Sequence, residues 1–362
     1  MVLPADLVKN TLGGGVTGAF AKLKFGRKAV RTDVVGLDVG DATTRVVRLM
    51  RLGDTSTLVA ADLLPPVELP SDETGEVRPA PLLLPKALRA RYAAVAVTSP
   101  QACIRLLSVP AGTDNNRANL NFGFFMERMG LPEGSAHRIG YEIVSTENRD
   151  QNVLAVSLPE RQTRWAVSLL PQGIPAPYSL QVSGAAELNC FSRELTAHHG
   201  DAPAIFMQIG SDVTHVAAFY KGRLAFYRQC QLGSHAIVRT IQEKLGIEEK
   251  LVPGALEDDL IDASAPIAAA IEPLLRQLVL VREFVERKRT CRIEKILLSG
   301  SLLGTKYWNE PIVKVMGIVP ATWNPLDTLP CQPGALAERV KGNESRFASA
   351  MGAALAVLEM ES

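Results

Sequence analysis

The sequence contains little from which a metal site, a disulfide framework or a membrane span could be built. Its five cysteines and five histidines form no Cys-x-x-Cys pair and no His-Glu-x-x-His motif, so zinc sites and disulfide scaffolds are not expected. The longest apolar stretch, APIAAAIEPLLRQLVLVREF, is interrupted by Glu272, Pro273 and Arg276, whereas a spanning helix needs about 18 or more apolar residues. The amino terminus lacks the apolar core of a secretion signal. We therefore expect a cytoplasmic protein with reduced thiols.

The chain also carries almost no net charge. Its formal charge is +1 over 362 residues, which gives no electrostatic reason to expect nucleic acid as a partner. Hydrophobic residues make up 47% and charged residues 21% of the sequence, as in chains that fold into compact domains. At roughly 100–200 residues per domain, this length predicts two or three domains.

Positive charge is concentrated in residues 1–31, which contain one acidic residue, Asp6. The basic residues of this segment are Lys9, Lys22, Lys24, Arg27, Lys28 and Arg31. Two interpretations remain open. The segment is either a solvated tail or a stretch that lies on an anionic membrane surface through Phe20, Leu23 and Phe25.

One motif occurs twice, with an offset of 170 residues. VVGLDVGDATTRVVRL at 34–49 and AIFMQIGSDVTHVAAF at 204–219 each read as a strand, a glycine-containing turn and a second strand. The aligned pairs are Asp38 with Gln208, Gly40 with Gly210, Asp41 with Ser211, and Thr44 with Thr214. The repeat predicts a duplicated structure.

The segments that follow each copy are also similar. A third strand follows both, STLVAADLL in the first half and GRLAFYRQC in the second. The first half then predicts a helix near 80–90 and the strand YAAVAVTS, and the second predicts helices at 234–245 and near 266–289 and the strand IEKILLSG. This alternation predicts an α/β protein with two mixed sheets that face each other.

Two glycine-rich turns that face each other across a cleft are suited to hold a triphosphate. Backbone N–H groups and the hydroxyls of Thr43, Thr44, Ser211 and Thr214 would bind its oxygens, and Asp38 would hold a hydrated Mg²⁺. Gly40 and Gly210 would let the backbone approach the ligand. A third element, ILLSGSLLGTKYW, places Gly300 and Ser301 between a strand and a helix, where adenine or ribose would pack.

In this order, the three elements resemble the actin-like ATPase superfamily, which includes sugar kinases and Hsp70. The detailed match is closer to the PilM family, the actin-like cytoplasmic component of type IV pilus assembly. It rests on VVGLDVGDATTRVVRL with its basic residue Arg45, and on YAAVAVTSPQACIRLLSVP, QLGSHAIVRTIQEKLGI, NPLDTL and FASAMGAALAVLE. The resemblance spans about residues 33–358.

The resemblance implies an actin-like (ribonuclease H-like, duplicated) two-lobed α/β fold with an inserted small α/β subdomain, as in the cell-division protein FtsA. The implied division is a basic tail at 1–32, the first half at 33–99, the insertion at 100–176, the completion of the first half at 177–200 and the second half at 201–362.

The chain departs from the family at residues that would contact nucleotide. Gln208 stands where the family has Asp, Ser301 where it has Gly, and Asp41 where it has Ser or Thr. An acidic residue expected after the strand near 180 is missing. These departures imply weak or lost binding of ATP and Mg²⁺ and little hydrolysis, and so favour a scaffold or adaptor. The alternative is an active Mg-ATPase or small-molecule kinase of the same superfamily.

The resemblance also implies a partner, the cytoplasmic tail of a PilN-like membrane protein, which would hold the chain at the periphery of the inner membrane. Self-association is a further expectation. In the insertion, FFMERMG offers more apolar surface than one helix face needs. We expect Phe124, Phe125, Met126 and Met129 to line a groove for that tail.

Overall fold

The computed structural model describes residues 31–40, 43–67, 79–110, 122–132, 136–147, 150–171, 173–258, 260–301 and 306–359. Asp41 and most of the basic segment lie outside these residues. The strands are β1 (Asp33–Val39), β2 (Thr44–Leu52), β3 (Thr55–Leu64), β4 (Tyr92–Val97), β5 (Cys103–Pro110), β6 (His137–Glu147), β7 (Asp150–Pro159), β8 (Ala176–Val182), β9 (Ala204–Ile209), β10 (Thr214–Tyr220), β11 (Arg223–Cys230), β12 (Lys295–Gly300) and β13 (Ala321–Thr322). The α-helices are α1 (Phe122–Met129), α2 (Glu160–Ser168), α3 (Ser183–Glu194), α4 (Ser234–Leu245), α5 (Val252–Glu257), α6 (Ser264–Arg289), α7 (Lys306–Met316) and α8 (Ala348–Leu358).

Two five-stranded sheets have the same topology. Their strand orders are β3-β2-β1-β4-β8 and β11-β10-β9-β12-β13. In each sheet the central strand pairs antiparallel with the strand that follows it and parallel with the fourth strand. In the register, Asp38 lies opposite Arg45 and Gln208 lies opposite His215. The predicted duplication and the actin-like α/β fold are therefore confirmed.

Helices α3 and α8 pack against each other beside the first sheet. The Phe191 ring of α3 stacks on Phe206 of β9, with 4.4 Å between the ring centroids, so α3 also contacts the second sheet. Almost every residue of α8 is buried, as its sequence ASAMGAALAVL predicts for a helix that is apolar on all sides.

Helices α4, α6 and α7 cover the outer face of the second sheet, where their apolar residues share one core with β9 and β12. By length and composition alone, α6 is the one described helix that could cross a membrane. However, Ile267, Ile271, Leu274, Leu278 and Val281 lie on its buried face. This amphipathic burial is that of a helix packed on a sheet.

The insertion forms a three-stranded antiparallel sheet of order β5-β7-β6. Helix α1 packs on one face and forms a small core with Val109, Val153 and Ala155. The opposite face contributes Ile104, Leu154, Val156 and Leu158 to the main core. The predicted domain boundaries stay a prediction.

One predicted element is wrong. Residues 80–90 do not form an α-helix, because their helical structure is a single 3₁₀ turn at Lys86–Leu88. Pro81 and Pro85 explain the difference, since proline has no amide hydrogen to donate and disfavours helical backbone in the residue before it. The helices predicted at 234–245 and near 266–289 are confirmed, the second beginning at Ser264.

Candidate functional site

A cleft lies where the carboxyl ends of β1, β9 and β12 meet the first turns of α3 and α8, as expected for an α/β fold. Of the predicted nucleotide residues, those lining it are Asp38, Gly40, Thr43, Arg45, Gln208, Gly210, Ser211, Gly300 and Ser301. Thr44 and Thr214 are fully buried beside it, and Thr214 donates a hydrogen bond to the Leu232 carbonyl at 2.7 Å. The cleft is partly open to solvent.

Both carboxylate oxygens of Asp38 already contact neighbouring side chains. It is 3% exposed, with Oδ2 3.0 Å from Arg45 Nη1. Ser183 donates its hydroxyl to Oδ1 at 2.8 Å. A hydrated Mg²⁺ bound to Asp38 would lie close to the Arg45 guanidinium. Because two cations in contact repel each other, Arg45 would have to move. The magnesium role of Asp38 stays a prediction.

Gln208 differs from Asp38 in having an unused oxygen. The residue is 9% exposed, and among the described residues Gln208 Oε1 has no hydrogen-bond partner. An unpaired buried polar atom is costly, so it is a natural contact for water or a ligand donor.

The turns differ in how strictly they require glycine. A Cβ on Gly210 would lie 2.7 Å from the Val213 carbonyl oxygen, whereas on Gly40 the closest contact would be 3.5 Å from the Thr43 oxygen. Gly300 has a φ of +102°, and a Cβ there would lie 2.0 Å from the Ile209 oxygen. The second turn and the strand beside it are therefore the more tightly packed side of the cleft.

Several lining residues were not predicted, and three of them, Glu187, His215 and Ser349, contact one another. Glu187 of α3 is 2% exposed. Its Oε2 lies 2.7 Å from His215 Nδ1 of β10, and its Oε1 accepts a hydrogen bond from Ser349 of α8 at 2.7 Å. One carboxylate thus connects α3, α8 and the second sheet. The 170-residue offset of the repeat aligns His215 with Arg45. This alignment was the sequence signal that could have identified His215 as a cleft residue.

The close approach of α3 to β10 depends on Gly184. A Cβ there would lie 2.6 Å from His215 Cε1 and 2.8 Å from the Tyr227 hydroxyl oxygen. Tyr227 is buried, and its hydroxyl has no partner among the described residues. Burial, and secondarily the Glu187 charge, raises the Tyr227 pKa well above its usual value, so this phenol stays protonated at neutral pH.

The charged and polar side chains of the cleft contact one another. Asp38 pairs with Arg45, Glu187 contacts His215, and Arg346 also lines the space. Within the part of the chain that the structure describes, no group of three His, Cys, Asp or Glu residues could hold a metal ion. Asp212 lies apart from Gln208, with its Oδ1 3.1 Å from His235 Nδ1 at the surface.

The residues predicted to bind a partner tail fall into two pairs. Phe125 and Met129 are 2% and 3% exposed, because they form the core between α1 and the small sheet. Phe124 and Met126 are half-buried and retain accessible surface. The groove for the partner tail stays a prediction.

Comparison with known proteins gives a likeness of fold. No protein-family model and no curated protein matches the chain. A chain of the PilM-PilN type IV pilus biogenesis complex aligns with a TM-score of 0.69 and 19% identity, covering 91% of this chain and 100% of that one. A Bacteroides thetaiotaomicron protein with actin-like ATPase fold and unknown function aligns at 0.45 and 9%, covering 82% and 93%. The ethanolamine utilization protein EutJ from Carboxydothermus hydrogenoformans aligns at 0.43 and 12%, covering 92% and 91%. The chain therefore has an actin-like fold of the kind found in the PilM-PilN complex.

Proposed function

We propose that this chain is a cytoplasmic scaffold of a type IV pilus or related assembly machine, peripheral to the inner membrane. It binds an extended cytoplasmic segment of a PilN-like, membrane-anchored partner. The observation that carries the proposal is the open edge of β6 in the small subdomain. The fold shared with a chain of the PilM-PilN complex supports it.

Strand β6 is an outer strand of the small sheet. Tyr141 and Ile143 are 40% and 37% exposed, and they project on the same face because side chains alternate along a strand. The Tyr141 ring is held in place by stacking on Phe125 at 4.8 Å. A long outer strand with exposed apolar side chains is a template for an added strand, so an extended peptide would pair with β6.

A small cavity lies on the other face of β6, between the small sheet and the first half. Arg138 and Gly140 of β6 line it together with Leu158, Leu180 and Ala185. Arg138 forms an ion pair with Glu160 and places a cation at the cavity. A strand added to β6 would project alternate side chains toward this cavity and toward α1.

We expect Ile143→Asp to weaken binding of the partner's cytoplasmic tail at least tenfold, because a carboxylate would replace apolar contact at the outer strand. Isothermal titration calorimetry with a peptide of that tail measures the change. Leu251→Asp, at a site 54% exposed in the second half, is the matched control and should bind normally. Unchanged affinity of Ile143→Asp would place the partner elsewhere.

For nucleotide, we propose that binding is weak or lost, because Arg45 and Ser183 occupy both oxygens of Asp38. Mg-ATP should stabilise the chain only slightly, since a ligand at ten times its Kd adds only about 1.4 kcal/mol.

Gln208→Asp should tighten Mg-dependent binding by supplying a second carboxylate, and Asp38→Ala should abolish what remains. Thermal unfolding with and without Mg-ATP measures both effects, with Gln208→Asn as control. Robust steady-state ATP hydrolysis by the unmodified chain would contradict this proposal and favour an enzyme.

A further inference from the structure

We propose that the end of the first sheet opposite the cleft docks directly onto an anionic membrane surface. Strands β1, β4 and β8 are parallel, so their carboxyl ends point toward the cleft and their amino ends form the opposite end of the sheet. The β2–β3 hairpin turns at this same end, because the Arg51 amide donates to the Thr32 carbonyl at 2.8 Å. We call this surface the basal face.

The basal face carries unusually exposed apolar side chains. Leu52 in the β2–β3 hairpin is 71% exposed, and Ile174 just before β8 is also 71% exposed. Leu83 is 84% exposed, and its neighbour Leu82 donates its amide to the Leu169 carbonyl near the end of α2. Among the described large hydrophobic residues, only Leu260 and Val319 also exceed 70% exposure. Three of these five side chains thus project near one end of the first sheet.

Basic residues and tyrosines lie at the same end of the first sheet. The Arg31 guanidinium lies 4.1 Å from the centre of the Tyr178 ring, and that of Arg91 lies 5.5 Å from the centre of the Tyr92 ring. The two tyrosine rings are themselves in contact, with centroids 5.8 Å apart. Tyrosine is enriched at the membrane–water interface of membrane proteins, where its ring lies at the level of the lipid headgroups. Lys86 is also exposed just before β4.

Nearby acidic residues are partly neutralised by arginines. Asp33, at the start of β1, binds Arg48 through an ion pair of 2.8 Å. Glu359, just after α8, pairs with Arg193. Asp54 in the hairpin is exposed and lies 4.0 Å from an Arg51 nitrogen. The arginines and the lysine described above therefore give the basal face a positive surface.

Arg31 lies two residues before β1 and so belongs to this face. Positive charge together with exposed Leu and Ile side chains matches an anionic lipid surface, which offers both headgroup phosphates and an apolar interior. A nucleic acid would use the charge but not the exposed apolar side chains.

The test is flotation of the purified full-length chain with vesicles, without any partner protein. We expect binding to vesicles of 70% phosphatidylcholine and 30% phosphatidylglycerol at about 0.1 M salt, and release near 1 M salt, where the screening length falls from about 10 to 3 Å. Vesicles of phosphatidylcholine alone should not bind. Equal binding to both compositions, or no binding at low salt, would overturn the proposal.

Variants separate this surface from a general effect of charge. Arg91→Gln should weaken vesicle binding about fivefold, the equivalent of about 1 kcal/mol per basic residue. Leu52→Ser combined with Ile174→Ser should weaken it further. Leu260→Ser is the control, because Leu260 is equally exposed but lies away from the basal face. The carbonyl of its neighbour Ile261 accepts a hydrogen bond at 2.8 Å from Tyr307, which follows the carboxyl end of β12.

Two outcomes of this series would refute membrane docking. One is an equal loss of binding in the Leu260→Ser control and the basal-face variants. The other is full retention of vesicle binding by the Leu52→Ser/Ile174→Ser variant, because charge alone would then explain the binding. The flotation assay contains no partner tail, so a negative result there would not contradict the proposed scaffold function. The peptide titration contains no vesicles, so a negative result there would not contradict membrane docking.

Discussion

Replacing Gly352 by alanine is expected to lower the free energy of unfolding by about 3 kcal/mol or more, at the upper end of what overpacking costs. A Cβ on Gly352 of α8 would lie 1.7 Å from the Ala186 carbonyl oxygen of α3. Both are fixed by helical backbone, so α3 and α8 would have to move apart. That movement would also strain the Glu187–Ser349 hydrogen bond in the cleft. Urea unfolding followed by circular dichroism measures the loss.

Gly254→Ala is the matched control for this experiment. Gly254 lies in the short helix α5, and a Cβ there would meet no atom within 4 Å. Alanine favours helix over glycine by up to about 1 kcal/mol, so this variant should be as stable as the original chain or slightly more. If Gly352→Ala unfolded at the same urea concentration as the control, α3 and α8 would not cross as closely as the structure shows.

The duplicated hairpins could be predicted from the sequence because their signal is local. Alternating apolar residues around Gly40 and Gly210 define each strand pair within 16 residues. The copies support each other, and the order of motifs then indicates the actin-like fold. The error of predicting a helix near 80–90 could also have been avoided from local sequence, because Pro81 and Pro85 disfavour a helix there.

The buried carboxylate of the cleft could not be predicted in the same way. Glu187 meets its partners His215 and Ser349 across 28 and 162 residues of sequence. A glutamate in a helix ordinarily indicates a solvated surface. Only the fold brings its three elements together, so local pattern carries no information about this contact.

The predicted partner groove shows a different limit of sequence reasoning. The segment that contains Phe125 and Met129 has more apolar surface than one helix face needs, and this suggested a partner from another chain. The structure instead shows them covering one face of the small sheet. From sequence alone, an apolar helix face does not reveal whether its partner belongs to the same chain.

Glu187→Ala is expected to reduce the free energy of unfolding by about 3 kcal/mol, as when one member of a buried polar pair is removed. It would leave the buried His215 ring and the buried Ser349 hydroxyl without their shared acceptor. Glu187→Gln keeps the shape and one acceptor oxygen, so it should lose only about 1 kcal/mol. Chemical unfolding of both variants gives the comparison.

Asp212→Ala provides the control for a carboxylate–histidine pair of the same chemistry at the surface. Asp212 and His235 are 45% and 42% exposed, and exposed pairs contribute between about 0 and 1 kcal/mol. A loss of stability in Glu187→Ala no larger than in Asp212→Ala would contradict the structural role assigned to Glu187.

The consequence of losing Glu187 should reach both hairpins. Ser183 and Glu187 are one helical turn apart and lie on the same face of α3. Ser183 donates to Asp38 of the first hairpin, and Glu187 contacts His215 of the second. Through these two side chains α3 connects the halves in the absence of nucleotide. Hydrogen exchange should therefore speed up in both β1 and β10 of Glu187→Ala, and acceleration confined to β10 would show that the two contacts act independently.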